Sequence, residues 1–282
     1  MRYLITGGSG QLGSAIYKEL LLRGENDVFT PSSKEMDITN FSSVKNYITI
    51  VKPDIIFHCA AYTNVDEAEF DHDSCYMVNS LGTSHICNAA GLVDATVIGI
   101  SSDYVFDGKK ESPYEVYDER HPINFYGSTK REMEDILTRY PKYFVVRTSW
   151  VFGENGKNFV NTMLNLAKKH DEVNVVRDQI GSPSYTPDLA KGIVDLSNTD
   201  YYGFYHMTNE GYLSWYEFTN LIYKEAGIDI KVNPINAKNY KGAKALRPLN
   251  SMLSKVSLDQ AGITRLPSVE EATHNYIKIL KK

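Results

Sequence analysis

Cysteine is scarce. Cys59, Cys75 and Cys87 are odd in number and form no C-x-x-C pair, which speaks against a disulfide framework or a cysteine zinc site and suits reduced, buried thiols. No apolar stretch reaches the about 18 residues of a membrane span. Met1 leads straight into a strand-like run without a basic n-region or long apolar core, so a cytoplasmic location is expected. No lysine- or arginine-rich block occurs and the net charge is -5, so the footprint of nucleic-acid or membrane-surface binding is missing. A phosphorylated ligand would need local cations instead. His58, His85, His121 and His206 lack metal-ligand spacing; they read as structural or surface residues, and no metal is expected. Repeats, low-complexity segments and flexible linkers are absent, so any second domain should interleave with the first.

The chain does have strand patterns alternating with helical ones, the signature of a parallel sheet. Its 282 residues, 42% of them hydrophobic, suffice for one large α/β core or a main domain with a smaller partner. Strand-like runs are expected at 2–6, 27–30, 54–60, 96–102 and 143–147. The first is followed by Gly7-Gly8-Ser9-Gly10-Gln11-Leu12-Gly13 and then by apolar periodicity from Ala15 to Leu22. Strand, glycine turn and helix in that order favour a dinucleotide. Gly7, Gly10 and Gly13 let the turn close, the backbone approach a pyrophosphate and the helix pack on the strand. In open parallel sheets ligands sit beyond the carboxyl ends of strands. Asp37, Tyr62 to Asp66, Ser102, Asp103 and Trp150 all fall at such ends.

Tyr126 and Lys130 stand four residues apart in Phe125-Tyr126-Gly127-Ser128-Thr129-Lys130. On a helix this spacing puts phenol and ammonium on one face, where the cation is expected to depress the tyrosine pKa. Such a tyrosine can pass a proton near neutral pH. Tyr-x-x-x-Lys also occurs on ordinary helix surfaces, and only its combination with the glycine turn points to chemistry.

Several segments occur together and in order: 6–13, Met36-Asp37-Ile38-Thr39, Ala60-Ala61-Tyr62-Thr63-Asn64-Val65-Asp66, Ser102-Asp103-Tyr104-Val105-Phe106-Asp107-Gly108, Tyr126 to Lys130, Arg147 to Gly153, Asp178 to Pro183 and Arg247-Pro248-Leu249-Asn250-Ser251. Together they resemble the dTDP-4-dehydrorhamnose reductases, extended short-chain dehydrogenases, over nearly the whole chain. The resemblance implies a Rossmann-type doubly wound parallel sheet at 1–150, with later segments returning to it. Residues 151–282 would mainly form a smaller, interleaved substrate-binding cap.

The resemblance also implies a reaction, the reduction of the 4-keto group of a nucleotide-linked 6-deoxyhexose. Ser102, Tyr126 and Lys130 would be the catalytic residues. Gly7, Gly10, Gln11, Leu12, Gly13, Asp37, Ile38, Ala60, Ala61, Tyr62 and Asn79 would meet the cofactor, Asn79 mainly as a structural organiser. Val65, Asp103, Tyr104 and Trp150 would shape the sugar pocket, and Arg247 would be a phosphate ligand. Each has a plainer alternative: Ser102 as a turn cap, Trp150 as core, Arg247 in a salt bridge. Pro31-Ser32-Ser33-Lys34 after the second strand tilts the cofactor towards NADPH, with NADH as the alternative. Met133-Glu134 departs from the family's usual glycine before that glutamate, which bears on helix packing. Some relatives dimerise through magnesium held by glutamates. A homodimer is therefore an expectation, but Ala15 at the matched position does not support that metal. Two rivals stay open: an epimerase of the same superfamily, and a cofactor-binding regulatory subunit like that of methionine adenosyltransferase.

Overall fold

The computed structural model describes residues 1–281. The first half runs β1 (Tyr3–Thr6), α1 (Gln11–Leu22), β2 (Val28–Phe29), α2 (Phe41–Val51), β3 (Ile55–His58), α3 (His72–Tyr76), α4 (Gly82–Gly91), β4 (Thr96–Ser102), α5 (Phe125–Leu137) and β5 (Tyr143–Thr148). The second half adds β6 (Val151–Phe152), α6 (Phe159–Ala167), β7 (Glu172–Val176), β8 (Ile180–Gly181), β9 (Ser184–Tyr185), α7 (Thr186–Ser197), β10 (Gly203–His206), β11 (Leu213–Ser214), α8 (Trp215–Ala226), β12 (Lys231–Ile235), β13 (Asn250–Ser251), α9 (Val256–Gln260) and α10 (Val269–Leu280). The expected strand at 96–102 appears with those bounds, and the other four differ from expectation by one or two residues at an end.

The strands order as β2-β1-β3-β4-β5-β10, every pair parallel. Period-two alternation sends Tyr3 and Ile5 to one face, against Ile16 and Leu20 of α1 and Leu189 and Ile193 of α7. Leu4 goes to the other, with Val44, Ile48, Ile86 and Leu137 of α2, α4 and α5. Both faces are covered, which is why the strands read as near-continuous apolar runs. This is the expected doubly wound sheet, and its order reverses at β1 and β3, opening a crevice at their carboxyl ends. Chain from beyond residue 150 returns to it: α7 packs beside α1 and β10 pairs with β5.

A separate apolar core joins Phe152, Val160, Val173, Phe218, Ile222, Val269 and Tyr276 from β6, α6, β7, α8 and α10. Between the two bodies Asn158 binds the Gly153 carbonyl at 2.8 Å, Gln11 Oε1 at 3.2 Å and the Tyr276 hydroxyl at 3.2 Å. Among the described residues no helix is long and apolar enough to cross a membrane, and no group of three or more His, Cys, Asp or Glu side chains could hold a metal. All three cysteines are free thiols.

Candidate active site

The glycine turn forms the floor of a cleft of about 930 Å³ at the carboxyl ends of β1, β3 and β4. Gly7 has φ +65°, and a Cβ on Gly13 would lie 2.3 Å from the Gly7 carbonyl oxygen, so neither position accepts a side chain without moving backbone. The amino end of α1 has no side-chain cap and no acidic residue in its first turn, whereas α2 and α5 are closed by Asn40 and Asn124. Uncapped N–H groups beside a glycine cradle fit a dinucleotide pyrophosphate. Gln11 Nε2 donates to the Lys157 carbonyl at 3.3 Å, which brings the 155–157 turn to the rim.

Beneath the cleft, β3 is locked to its neighbours by His58. The single hydroxyl proton of Thr83 goes to the Asn79 carbonyl at 2.7 Å, so His58 Nε2, 3.1 Å away, donates to Thr83 Oγ1. Nδ1 then accepts from Thr6 Oγ1 at 2.8 Å. Burial, with Lys130 adding to it, holds this imidazole down to about 3, so it is a neutral structural group. Burial also pushes the Cys59 thiol up to about 12.

Helix α5 carries Tyr126 and Lys130, and β4 ends at Ser102; all three are buried and line the cleft. Lys130 Nζ donates to the Ile100 carbonyl at 2.7 Å. Burial holds the ammonium down to about 8, opposed by the Glu134 carboxylate one turn further along. The expected depression of the Tyr126 phenol is not found. Burial raises it above the ordinary tyrosine value, the Asp103 carboxylate adds to this, and only the Ser102 hydroxyl opposes. Desolvation sets the direction, and the Lys130 ammonium, itself buried and bound to a carbonyl, does not figure among the causes. Tyr126 therefore presents a proton to the cleft.

Ser102 Oγ donates to Asp103 Oδ1 at 2.8 Å and accepts from the Tyr104 N–H at 3.2 Å. Asp103 is buried and its Oδ2 has no hydrogen-bond partner. Burial pushes this carboxyl up to about 6 against the Ser251 and Ser102 hydroxyls.

Behind these groups lies a network that sequence reasoning missed. Glu134 binds Arg147 through both oxygens, each at 2.8 Å, receives Ser101 Oγ at 2.6 Å and pairs with Arg120 at 3.0 Å. Glu134 and Arg147 are buried, and the guanidinium lies 4.9 Å from the ring centres of both Phe106 and Phe204. Met133, in place of the usual glycine, packs in the core with Ile86 and Val97, its sulfur 3.5 Å from Lys130 Nζ. An acidic residue four places after Lys130 was the available signal, but its partner Arg147 lies on the strand that follows the helix.

Trp150 has φ +48°, a conformation that costs a bulky residue strain and flags a site. Its ring stacks on Trp215 with centroids 3.4 Å apart and planes 6° apart. A Cβ on Gly181 would lie 2.6 Å from that ring, which accounts for the glycine in the 178–183 segment.

Gly7, Gly10 to Gly13, Asp37, Ile38, Ala60, Ala61, Val65, Ser102 to Tyr104, Tyr126, Lys130 and Trp150 all line the cleft. So does Thr63, within the expected 62–66 stretch, and so do Pro31 to Ser33 but not Lys34; Thr148, Asn155, Lys157 and Trp215 line it without having been anticipated. Tyr62 and Asn79 lie outside the lining. Asn79 Oδ1 accepts the Tyr62 N–H at 2.8 Å and its Nδ2 donates to Thr129 at 3.0 Å, tying the loop after β3 to α5. Arg247 also lies outside, with Nη1 and Nη2 on Asp66 at 3.2 and 2.8 Å. Burial opposes the ionised Asp66, yet Arg247 and the Ala245 and Lys244 N–H groups hold its carboxyl down to about 2.

Known proteins share this architecture. A dTDP-4-dehydrorhamnose reductase from Aggregatibacter actinomycetemcomitans is 41% identical over 92% of each chain. The Bacillus subtilis spore coat polysaccharide biosynthesis protein SpsK is 38% identical over 98% of this chain and 97% of its own. The crystal structure of a Bacillus anthracis dTDP-4-dehydrorhamnose reductase in complex with NADP superimposes with a TM-score of 0.95 at 40% identity, covering 100% of this chain and 99% of that one. The family model described as RmlD substrate binding domain matches residues 1–282, and the chain belongs to the dTDP-4-dehydrorhamnose reductase family.

Proposed function

We propose that the protein is an NADPH-dependent reductase that converts the 4-keto group of a dTDP-linked 6-deoxyhexose to the alcohol, dTDP-4-dehydro-L-rhamnose to dTDP-L-rhamnose. The observation that carries this is one cleft in which a glycine cradle, an uncapped helix terminus and Ser102, Tyr126 and Lys130 converge. The residues of 7–13 hold the pyrophosphate, Asp37 and Ile38 meet the adenine side, and Ala60 and Ala61 line the path to the nicotinamide. When bound, the reduced nicotinamide supplies a hydride to the carbonyl carbon.

Tyr126 gives the matching proton to the carbonyl oxygen, and its raised pKa keeps that proton in place until the oxygen becomes basic. Lys130 offers an ammonium for the ribose hydroxyls and for the phenolate left after proton transfer. Ser102 orients the carbonyl oxygen by hydrogen bonding. Val65, Asp103, Tyr104 and Trp150 border the sugar, with the body built from α6, α8 and α10 covering it. The free thiols support a reducing compartment, the cytoplasm. The homodimer expected from the family is checked by light scattering.

The test is NADPH oxidation with dTDP-4-keto-6-deoxy-L-mannose and purified protein, the product identified by NMR. Stoichiometric NADPH loss with formation of the 4-hydroxy sugar supports the reading. NADPH binding without turnover would convert it to that of a binding subunit. Stereochemical change in a nucleotide sugar without net NADPH loss would make it an epimerase.

A further inference from the structure

Asp103 is buried beside the catalytic serine in a way that a sugar-pocket role leaves unexplained. A serine hydroxyl has one proton and two lone pairs. At Ser102 the proton lies on Asp103 Oδ1 and one lone pair is taken by the Tyr104 N–H. What remains towards the cleft is a lone pair. In this arrangement Ser102 can accept from the neighbouring Tyr126 phenol but cannot donate to a ketone oxygen. Asp103 Oδ2, buried with no partner at hydrogen-bond distance, is a second, independent sign: the nearby Ser251 hydroxyl favours the ionised form but does not close a hydrogen bond in this geometry, whereas a carboxylic acid needs only one good partner for its proton.

We propose that Asp103 is a positioning residue that sets the direction of the Ser102 hydroxyl: as an acid it donates to Ser102 Oγ and turns the serine proton towards the substrate carbonyl, and as a carboxylate it withdraws that proton. Passing from carboxylate to acid takes up one proton from solvent, which comes to lie between Asp103 and Ser102 Oγ; the serine hydroxyl keeps its own hydrogen, now free to point at the carbonyl, and the reverse passage returns that one proton to solvent. The groups facing Asp103 are Ser102 and Tyr104 on its own segment, the Tyr126 phenol from α5 and the Ser251 hydroxyl from β13. The Arg247–Asp66 pair bears on Tyr104. Burial without a cation pushes the carboxyl up to about 6, so the switch operates close to neutral pH.

The proposal rests on the reductase reading, and its test has one arm that does not. In that arm the Asp103 carboxyl is followed by carbon-13 NMR in the free protein, with Asp103→Asn assigning the resonance. Ser102→Ala removes a donor to the carboxylate and should shift the midpoint upward. An unchanged midpoint overturns the coupling whatever the protein turns over.

In the activity arm, wild-type kcat/KM for the keto sugar should fall on the order of tenfold, one hydrogen bond's worth, as pH rises through the Asp103 midpoint. Asp103→Asn, whose amide can donate to Ser102 at every pH, should lose that step while binding NADPH normally. Ser102→Ala should lose it as well. Persistence of the step at the same pH in Asp103→Asn overturns the proposal. Absence of any turnover in the wild type would instead sink the reductase reading and leave the NMR arm to decide the coupling.

Discussion

Truncating Glu134 to alanine should damage stability and catalysis together, because one carboxylate holds the helix of Tyr126 and Lys130 to the strand of Ser102. The substitution leaves Arg147, which is 1% exposed, charged and without its carboxylate between two aromatic rings. Losing one partner of a buried ion pair costs about 3–5 kcal/mol. With roughly 2.1 cal/mol/K of unfolding entropy per residue, a chain of this length has about 0.6 kcal/mol/K in total, so the melting temperature should drop by about 5–8 °C. Calorimetry of the free protein measures this directly. Removing both charges in Glu134→Leu with Arg147→Met should recover at least half of the loss, since the penalty is an unpaired charge more than a missing attraction. Lys130 also loses the carboxylate that supports its protonation, so kcat of the single variant should fall even at temperatures where it is folded. A melting temperature within about 1 °C of wild type, or a double variant less stable than the single one, would refute this account.

Tyr126→Phe should keep NADPH affinity and lower kcat by on the order of 10² to 10⁴, the worth of a positioned acid; near-normal turnover removes Tyr126 from the mechanism. Gly13→Ala places a methyl 2.3 Å from the Gly7 carbonyl and should abolish tight NADPH binding as the turn opens, and calorimetric titration showing wild-type affinity in a folded variant would displace the phosphates from this turn. Because both terminal nitrogens of Arg247 are held by Asp66, Arg247→Ala should lower stability by about 1–3 kcal/mol and leave the KM of the nucleotide sugar within about threefold. A KM rise of tenfold or more at unchanged stability would instead make Arg247 a phosphate ligand. His58 has a folded pKa of about 3, below its unfolded value, so its contribution to stability is complete above about pH 6.5 and is lost as pH falls towards 3. Urea unfolding of wild type across that window should therefore lose about 1.4 kcal/mol per pH unit more than His58→Gln, and equal slopes would show that His58 protonates in the native state.

The parallel sheet, the phosphate turn and the Tyr126–Lys130 face were legible in the sequence because each is encoded within a few residues. A short continuous apolar run marks a strand buried on both faces, a glycine every third position closes a turn, and a spacing of four puts two side chains on one side of a helix. The positions that line the cleft were largely legible as well, since parallel strands place their carboxyl-end residues together. Pairings between distant segments were not. Glu134 finds Arg147 across a helix-to-strand connection, Arg247 finds Asp66 at a separation of 181 residues, Gln11 finds the Lys157 carbonyl at 146, and Trp150 is aligned by Trp215 and by the space Gly181 leaves. No local periodicity carries such contacts, because they depend on how two bodies meet. The protonation of Tyr126 belongs with them: four-residue spacing predicted a depressed phenol, but the pKa follows from desolvation and from where the Lys130 and Asp103 charges point, and only the packed interior decides those.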